Sequence, residues 1–325
     1  MLTVARALVW IIIALMAVAA HAGRAQDHPD RPIKLVVGFT AGGSTDFVAR
    51  LLADRLRTSL ARDVVVENRP GANGSIAAEY VAKSEPDGAT LLFTSVGAVA
   101  INPALHTNLP YHPIRDFAPI GLAVLNSTML VTGAKMPVNS ARELAALARQ
   151  RPGAVTIGIT GWGAISHLGL ELYQAAAQVK FQAVPYRGAS QAVTDLLGGQ
   201  LDGLFADVPT IISQVKAGKL KALAATSKQR SEAFPDVPTF LEQGFADTFA
   251  NQWAAILAPA QTPPDMVGKL NGALNAALTD PGVRSQLAHV GVTPSPGSAA
   301  EFAIYLQEEI LRWRNLIRDK GIKIE

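Results

Sequence analysis

The chain has 325 residues, of which 49% are hydrophobic and none is cysteine, and its formal net charge is +3. The lack of cysteine excludes disulfide bonds, thiolate metal sites and cysteine nucleophiles. No run of Lys or Arg is dense enough to attract a phosphate backbone, so we expect no nucleic-acid partner.

The N-terminal segment predicts export. Arg6 precedes an apolar run over residues 7–20, and small residues follow up to Ala22 and Ala25. A basic residue, a short apolar stretch and an A-x-A-like site are typical of a secretory signal peptide. The alternative is a transmembrane anchor, but the run is short for crossing ~30 Å of hydrocarbon. We expect residues 1–25 to form a signal peptide that is cleaved after Ala22 or Ala25.

Short β-rich runs alternate with helical patterns through the first part of the chain. Residues 33–39, 64–66 and 90–94 are predicted strands. Apolar residues at positions 48, 51, 52 and 56 form one stripe of a helix that begins near Asp46. Alternation of this kind predicts parallel strands that are joined by right-handed crossovers.

A second series of the same type follows. Its predicted strands are 155–159, 182–184, 204–206 and 220–226, and its predicted helices begin near Ser166 or cover 192–197 and 211–217. A strand over 253–258 precedes a helical C-terminal part. The last helix has one apolar face, which we expect to be core, formed by Phe302, Tyr305, Leu306, Ile310, Trp313 and Ile317.

The two series predict an α/β fold with two lobes. Strands near 122–132 and 250–258 would join them, so that one lobe contains residues 26–128 and 251–325 and the other contains residues 129–250. Ligands of open α/β sheets bind beyond the carboxyl ends of the strands. We therefore expect the ligand in the cleft between the lobes.

Residues 38–46, the first glycine loop, lie between a predicted strand and a predicted helix. The pair Gly42-Gly43 allows a tight turn that leaves amide N–H groups facing outward. Helix starts carry unpaired N–H donors and a partial positive charge, so they attract anions. The alternative is a structural turn with Ser44, Thr45 or Asp46 as the N-cap. The loop is neither a GxGxxG fingerprint nor a P-loop, because no Gly-Lys-Ser/Thr follows.

Residues 160–167, the second glycine loop, repeat this arrangement. The loop follows a predicted strand and precedes a helix, so it can present a second set of amides. Two facing amide sets would suit a dicarboxylate, or a carboxylate with a polar tail. The neighbouring residues Ser166 and His167 also raise the alternative of a catalytic pair. However, no G-x-S-x-G elbow surrounds Ser166, and adjacent residues at a helix start point in different directions.

Four further residues follow predicted strands and can shape the far end of the cleft. Ser95 can donate to a ligand or cap a helix, and Arg187 can bind a carboxylate bidentately or lie in solvent. Tyr186 adds an aromatic ring beside Arg187. Asp207 can accept from a ligand hydroxyl or amine, or act as an N-cap-like loop residue.

The rest of the chain offers little catalytic chemistry. The segment 68–75 is interpreted as a structural loop in which Ser75 caps the next helix. The histidines show no zinc spacing, and no pair of carboxylates is placed for acid–base work. We expect no metal, no cofactor and no enzymatic activity.

Taken together, these segments resemble the extracytoplasmic solute receptors of the tripartite tricarboxylate transporter class, also called the Bug family. The resemblance extends from Arg31 to the C-terminal helices. The motifs that carry it are Gly42-Gly43-Ser44-Thr45-Asp46, Val66–Gly71, Gly163–Leu168, Val184–Gly188, Asp195–Gln200, Lys216–Leu220 and Pro235–Thr239.

The resemblance implies a type II periplasmic-binding-protein fold with a hinge and an interlobe cleft. It also implies that backbone amides and bridging waters hold a carboxylate, and that the receptor delivers its solute to a membrane permease. Three positions depart from the family pattern. Ala41 replaces a common proline, Trp162 replaces smaller residues and favours a flat or apolar ligand, and the usual acidic residue matches Ala206, one place before Asp207.

These observations predict a monomeric periplasmic receptor for a small di- or tricarboxylate, or for an aromatic or amino acid. The alternatives are a periplasmic hydrolase or isomerase that uses Ser166 and His167, and a ligand-binding partner of a signalling sensor. Asp46 would fix the first loop by capping its helix. The expected ligand-binding residues are Phe39, Ala41, Gly42, Gly43, Ser44, Thr45 and Asp46, then Gly163, Ala164, Ser166 and His167, with Ser95, Tyr186, Arg187 and Asp207 at the far end.

Overall fold

Two β-sheets organise the chain in the computed structural model, which describes residues 31–186 and 188–322. The predicted signal peptide lies outside the described residues. The strands of the first sheet are β1 Ile33–Val37, β2 Val64–Asn68, β3 Thr90–Ser95, β4 Phe117–Asn126, β10 Gln252–Pro259 and β11 Val292–Pro294. The strands of the second sheet are β5 Thr128–Gly133, β6 Thr156–Ile159, β7 Gln182–Pro185, β8 Gly203–Asp207 and β9 Leu220–Ala225.

Each sheet carries helices on both faces, and a sheet with its helices is called a lobe below. The helices of the first lobe are α1 Ser44–Leu60, α2 Ser75–Ala82, α3 Asn102–Leu105, α8 Pro264–Thr279, α9 Pro281–His289 and α10 Ala299–Lys320. The helices of the second lobe are α4 Ala141–Gln150, α5 Ile165–Ala177, α6 Ala189–Leu197 and α7 Val208–Lys216. Among the described residues, none of the helices combines the length and the apolar character needed to cross a bilayer.

The strand order is β11-β4-β10-β3-β1-β2 in the first sheet and β7-β6-β8-β5-β9 in the second. The expectation of parallel strands is confirmed for three strands of each sheet and is wrong for the strands that join the sheets. The groups β2-β1-β3 and β7-β6-β8 are parallel, but β10 is antiparallel to its neighbours β3 and β4, and β5 to its neighbours β8 and β9. The chain passes from one sheet to the other at these strands instead of returning over a helix, so their direction is reversed.

This topology brings the loop-bearing ends of both sheets together. In the first sheet, the carboxyl ends of β1, β3 and β4 lie at the same edge as the start of β10. In the second sheet, the carboxyl ends of β6, β7 and β8 lie at the same edge as the start of β5. A single residue, Ser127, separates β4 from β5. The two edges therefore adjoin.

The hydrophobic core of the first lobe lies on both faces of its sheet. Leu35 and Val37 face one cluster and Val36 faces the other, as the two-residue period of a strand requires. The apolar face predicted for the last helix is confirmed, since Phe302, Leu306, Ile310, Trp313 and Ile317 are buried and Tyr305 is partly buried against them.

Helix α5 of the second lobe also packs against the first lobe. Its residues Ile165, Leu168 and Leu172 are buried in the same cluster as Val99 and Trp253 of the first lobe. A second close approach occurs at Gly291, where a Cβ would lie 2.4 Å from Cγ1 of Val208. The two lobes are therefore in direct contact at these two places.

Candidate functional site

The first glycine loop is held in place by a buried carboxylate. Asp46 is 3% exposed, and its Oδ2 accepts hydrogen bonds from the amide of Gly42 (2.9 Å) and from Nε of Arg50 (2.9 Å). Its Oδ1 accepts from Nδ2 of Asn68 at 2.8 Å. Burial raises the pKa of Asp46, but the bonds from Arg50, Gly42 and Asn68 outweigh it and hold the pKa below its ordinary value.

The predicted role of Asp46 as a helix cap is wrong, and so are the alternatives Ser44 and Thr45. Gly43 is the N-cap, in extended conformation and without a side-chain cap. Asp46 lies in the first turn and bonds backward to the loop. Its bond occupies the amide of Gly42, so that amide is not available to a ligand.

The donors that remain in this loop belong to the helix start. The amides of Ser44, Thr45 and Asp46 have no backbone acceptor among the described residues, because a helix offers none to its first turn. Ser44 and Thr45 are half-buried, whereas Ala41 and Gly42 are exposed. Phe39 is half-buried, and its carbonyl oxygen accepts from Asn68 at 3.0 Å.

The second glycine loop is held in the same way by a histidine. Nδ1 of His167 accepts from the amide of Gly163 at 3.2 Å, and Ala164 is an extended N-cap without a side-chain bond. Oγ of Ser166 accepts from the amide of Thr160 at 2.9 Å and lies 2.8 Å from the Thr160 hydroxyl. The amides of residues 165–167 have no backbone acceptor among the described residues.

The two loops thus share one construction, which is based on an aspartate in the first loop and on a histidine in the second. In each, the third residue of a helix bonds the amide of a glycine four positions earlier. In each, the next turn supports that residue, with Arg50 bonded to Asp46 and Oε1 of Glu171 lying 3.6 Å from Nε2 of His167. Nδ1 of His167 thus faces the loop as an acceptor, and Nε2 faces Glu171.

Ser166 and His167 do not form a nucleophile–base pair. Each is at most 2% exposed, and each is bonded to another partner, Thr160 or Gly163. No bond between the two side chains occurs in the part of the chain that the structure describes. The geometry therefore assigns both side chains to shaping the loop.

The second glycine loop contains a partly exposed aromatic side chain. Trp162 is 37% exposed, and its ring packs edge-on against His167 with centroids 4.8 Å apart. This contact holds the indole in place while leaving much of it accessible.

Three of the four residues predicted at the far end are described. Ser95 is buried at the end of β3, where its Oγ accepts from the amide of Gly97 at 3.4 Å. Tyr186 donates to Oδ2 of Asp195 at 2.8 Å, and burial together with Asp195 raises the pKa of Tyr186 to about 12. Arg187 lies outside the described residues.

Asp207 is the N-cap residue of α7, but its side chain makes no cap bond. Its Oδ1 accepts from the hydroxyl of Thr128 at 3.0 Å. Burial raises the pKa of Asp207 to about 6, although the bond from Thr128 opposes this shift. The carboxyl group is therefore placed beside the strand that enters the second lobe.

The sequence interpretation missed Asn73, which lies in the segment taken as structural. Its Nδ2 donates to the carbonyl oxygen of Gly163 in the second glycine loop at 3.1 Å. Asn73 has φ of +50°, and asparagine is one of the few residues that adopt this conformation readily. An asparagine within a glycine-rich loop was the available signal. Ser75 does not cap α2, because Gly74 is the N-cap and Oγ of Ser75 bonds Tyr111 and Asn102 instead.

The sequence interpretation also missed three side-chain amides at the junction between the lobes. Gln252 pairs across the sheet with Asn126, and Asn251 precedes it. The side-chain oxygens of these three residues are buried and have no hydrogen-bond partner among the described residues. Buried polar atoms are usually paired, so these oxygens have capacity for water or for a ligand.

The chain is similar over its length to known receptors. A family model described as "Tripartite tricarboxylate transporter family receptor" matches residues 48–322. Protein BugT of Bordetella pertussis (strain Tohama I) is 37% identical over 320 residues, which cover 98% of each chain.

Two solved structures are similar in fold as well as in sequence. The R. palustris protein Rpa4515 with adipate has a TM-score of 0.86 at 33% identity, covering 91% of this chain and 99% of that chain. MatC from Rhodopseudomonas palustris with bound malate has a TM-score of 0.82 at 31% identity, covering 88% of this chain and 99% of that chain.

Proposed function

Because the chain belongs to the family of tripartite tricarboxylate transporter receptors, we propose that it captures a small carboxylate between its two glycine loops and delivers it to a membrane permease of that transporter class. Family members are periplasmic binding proteins. The chain would reach that compartment through its predicted signal peptide and act there as a monomer.

The observation that carries the proposal is the pair of helix starts at the facing edges of the sheets. Within residues 31–186 and 188–322, the amides of residues 44–46 and 165–167 find no backbone acceptor, and residues 165–167 are buried. An unpaired buried amide costs free energy, so a site with several of them is completed by an acceptor. A carboxylate supplies such acceptors, and the partial positive charge of each helix start favours an anion.

The relatives support the same ligand class. One similar structure holds adipate and another holds malate, and both are small dicarboxylates. In this chain, one carboxylate would lie on the first glycine loop and the rest of the solute would extend along the second. Ser95, Tyr186, Arg187 and Asp207 would shape the far end, and Trp162 would supply an apolar wall.

The cleft would open and close by rotation of two lobes, residues 26–128 with 251–325 and residues 129–250. The chain passes between the sheets at Ser127 and again before β10, which gives the rotation two adjoining connections. Closure would bring the two helix starts together around the solute, so that the loaded receptor would differ in shape from the empty one.

A thermal-shift screen of residues 26–325 against mono-, di-, tri- and aromatic carboxylates tests the proposal. A ligand that binds only the folded state raises the melting temperature, so a tight ligand at ~100 times its Kd adds about 2.7 kcal/mol of stability. Gly43→Val should abolish the shift by covering the amides of the first loop. Gly272→Val is the matched control, because a Cβ at this exposed position in α8 meets nothing within 4 Å. No shift with any carboxylate, for protein refolded free of ligand, would contradict the proposal.

The same protein separates a receptor from a hydrolase. We propose that the chain is not an enzyme, because Ser166 and His167 hold the second loop and do not engage each other. Ser166→Ala should weaken ligand binding without affecting turnover of an ester or amide panel. Turnover by the unmodified protein that Ser166→Ala abolishes would favour the enzyme instead.

A further inference from the structure

We propose that Asn73 is a latch between the lobes, which sets the affinity for every solute by stabilising the closed conformation without contacting the solute. This inference rests on the proposed function. It concerns a residue whose side chain belongs to neither glycine loop.

The latch joins two backbone segments that are themselves fixed. Nδ2 of Asn73 in the first lobe donates to the carbonyl oxygen of Gly163 in the second lobe at 3.1 Å, and also lies 3.2 Å from Oδ1 of Asn102. The amide of the same Gly163 donates to His167. The bond between the lobes therefore ends on the loop that is proposed to hold the solute.

On the first lobe, the latch is anchored by a buried polar network. Asn102 is 2% exposed, and its Nδ2 donates to the carbonyl oxygen of Ala72 at 2.9 Å and to Oγ of Ser75 at 2.7 Å. Ser75 in turn lies 2.9 Å from the hydroxyl of Tyr111, which donates to the carbonyl oxygen of Ala98 at 2.6 Å. Asn73 thus presents its amide from a rigid support.

The path of the Asn73 side chain depends on a glycine. A Cβ at Gly97 would lie 2.5 Å from Oδ1 and 2.7 Å from Cγ of Asn73, which is too close for the amide to remain where it is. The backbone of Asn73 has φ of +50°, a conformation that asparagine and glycine tolerate. Residues 73, 97 and 102 are therefore mutually adapted to hold one amide against the second lobe.

The expected effect follows from a two-state equilibrium between open and closed lobes. One intramolecular hydrogen bond shifts such an equilibrium about two- to tenfold. The apparent affinity falls in proportion to the fraction of closed protein. Loss of the latch should therefore weaken binding by up to about tenfold, and by the same factor for chemically different solutes, because no solute contact is removed.

The test uses Asn73→Gly, which keeps the backbone conformation at no strain and deletes the amide. Gly97→Ala is a second variant, which leaves Asn73 in place but displaces its side chain. Asn108→Gly is the control, since Asn108 is exposed on the same lobe and has no hydrogen bond in the described structure. Calorimetric titration with adipate and with malate measures the affinities of these variants.

The conformation is measured independently of any ligand. The chain contains no cysteine, so labels on Ser59→Cys in α1 and Gln150→Cys in α4, both exposed, report one distance between the lobes. We expect ligand-free Asn73→Gly to populate the open distance more than the control Asn108→Gly, which keeps the latch, with the same distance for both at saturation.

Each outcome decides the inference. Equal losses for both ligands in Asn73→Gly and Gly97→Ala, together with the label shift, would support it. A loss confined to one ligand would mean that Asn73 contacts the solute, and unchanged affinity and distance would mean that the bond is incidental, so either result overturns the latch. If the unmodified protein binds no carboxylate, the proposed function fails, and the ligand-free label distance alone decides the latch.

Discussion

Replacing Asp46 with asparagine tests how the first glycine loop is held. The side chain of Asp46 is 4% exposed and accepts from Gly42, Arg50 and Asn68. Asparagine has the same shape but turns one acceptor oxygen into a donor, which must face at least one of these N–H groups. A buried bond to a charged group contributes about 1.5–3 kcal/mol, so we expect the free energy of unfolding at pH 7 to fall by about 2–3 kcal/mol.

The pH dependence identifies the charge as the cause. The pKa of Asp46 lies below its ordinary value of 3.8 in the folded state. The carboxylate therefore stabilises the fold above the unfolded pKa, and this contribution is lost as the pH falls through the folded pKa. The difference between the unmodified protein and Asp46→Asn should be constant from about pH 5 to pH 8 and shrink below about pH 4.

Urea unfolding at pH 7, 5 and 3 measures this difference. Asp54→Asn serves as the control, because Asp54 is an exposed residue of the same helix whose carboxylate makes no described bond. A difference that persists undiminished at pH 3, or that is absent at pH 7, would refute the reasoning.

Two further carboxylates give predictions of opposite sign, since replacing Asp207 should stabilise the fold and replacing Glu309 should destabilise it. Burial raises the pKa of Asp207 in the folded state to about 6. The protonated carboxyl group therefore stabilises the fold fully below the unfolded pKa of 3.8, and this contribution is lost as the pH rises through 6. Asp207→Asn should therefore raise the free energy of unfolding at pH 8 by about 1–2 kcal/mol and leave it unchanged at pH 4, and thermal unfolding showing no gain at pH 8 would contradict this. Glu309 is 6% exposed and accepts from the indole N–H groups of Trp253 (2.9 Å) and Trp313 (3.2 Å). Glu309→Ala should lower the urea-unfolding free energy by about 2–4 kcal/mol, whereas Glu309→Gln should cost less because it keeps an acceptor, and equal losses would argue against the indole bonds.

The regular elements were predictable because their hydrophobic periods are clear. The strand predicted over 64–66 is β2 Val64–Asn68, and the helix predicted to begin near Ser166 is α5 Ile165–Ala177. The first strand was extended two residues too far, since Gly38 and Phe39 already belong to the loop. Strand ends depend on pairing partners, which the sequence does not display.

The direction of the central strands and the construction of the loops were not predictable in the same way. Whether β10 runs with or against β3 depends on how the chain passes between the lobes, and no local pattern records this. Asp46 was expected as a cap because acids favour helix starts, but only the structure shows that it bonds backward to Gly42. The lobe boundaries, the ligand-binding residues and Arg187 remain predictions.

Residues that act across the cleft were the hardest to find from sequence. Asn73 and Gly163 are far apart in the chain, and their bond depends on the relative placement of two sheets. The same holds for the pairing of Asn126 with Gln252, which places two amides at the junction. Local propensity describes one element at a time, whereas these contacts depend on tertiary packing.

The one-residue connection at Ser127 has a mechanical consequence. In the proposed opening of the cleft, a link this short would leave the lobes little room to move apart, so their relative motion would be a turn about a pivot beside Ser127. Points near that pivot would hardly move, while points far from it would move along a long arc. A permease that distinguishes loaded from empty receptor would gain most from contacting the rims of both lobes at the end remote from Ser127.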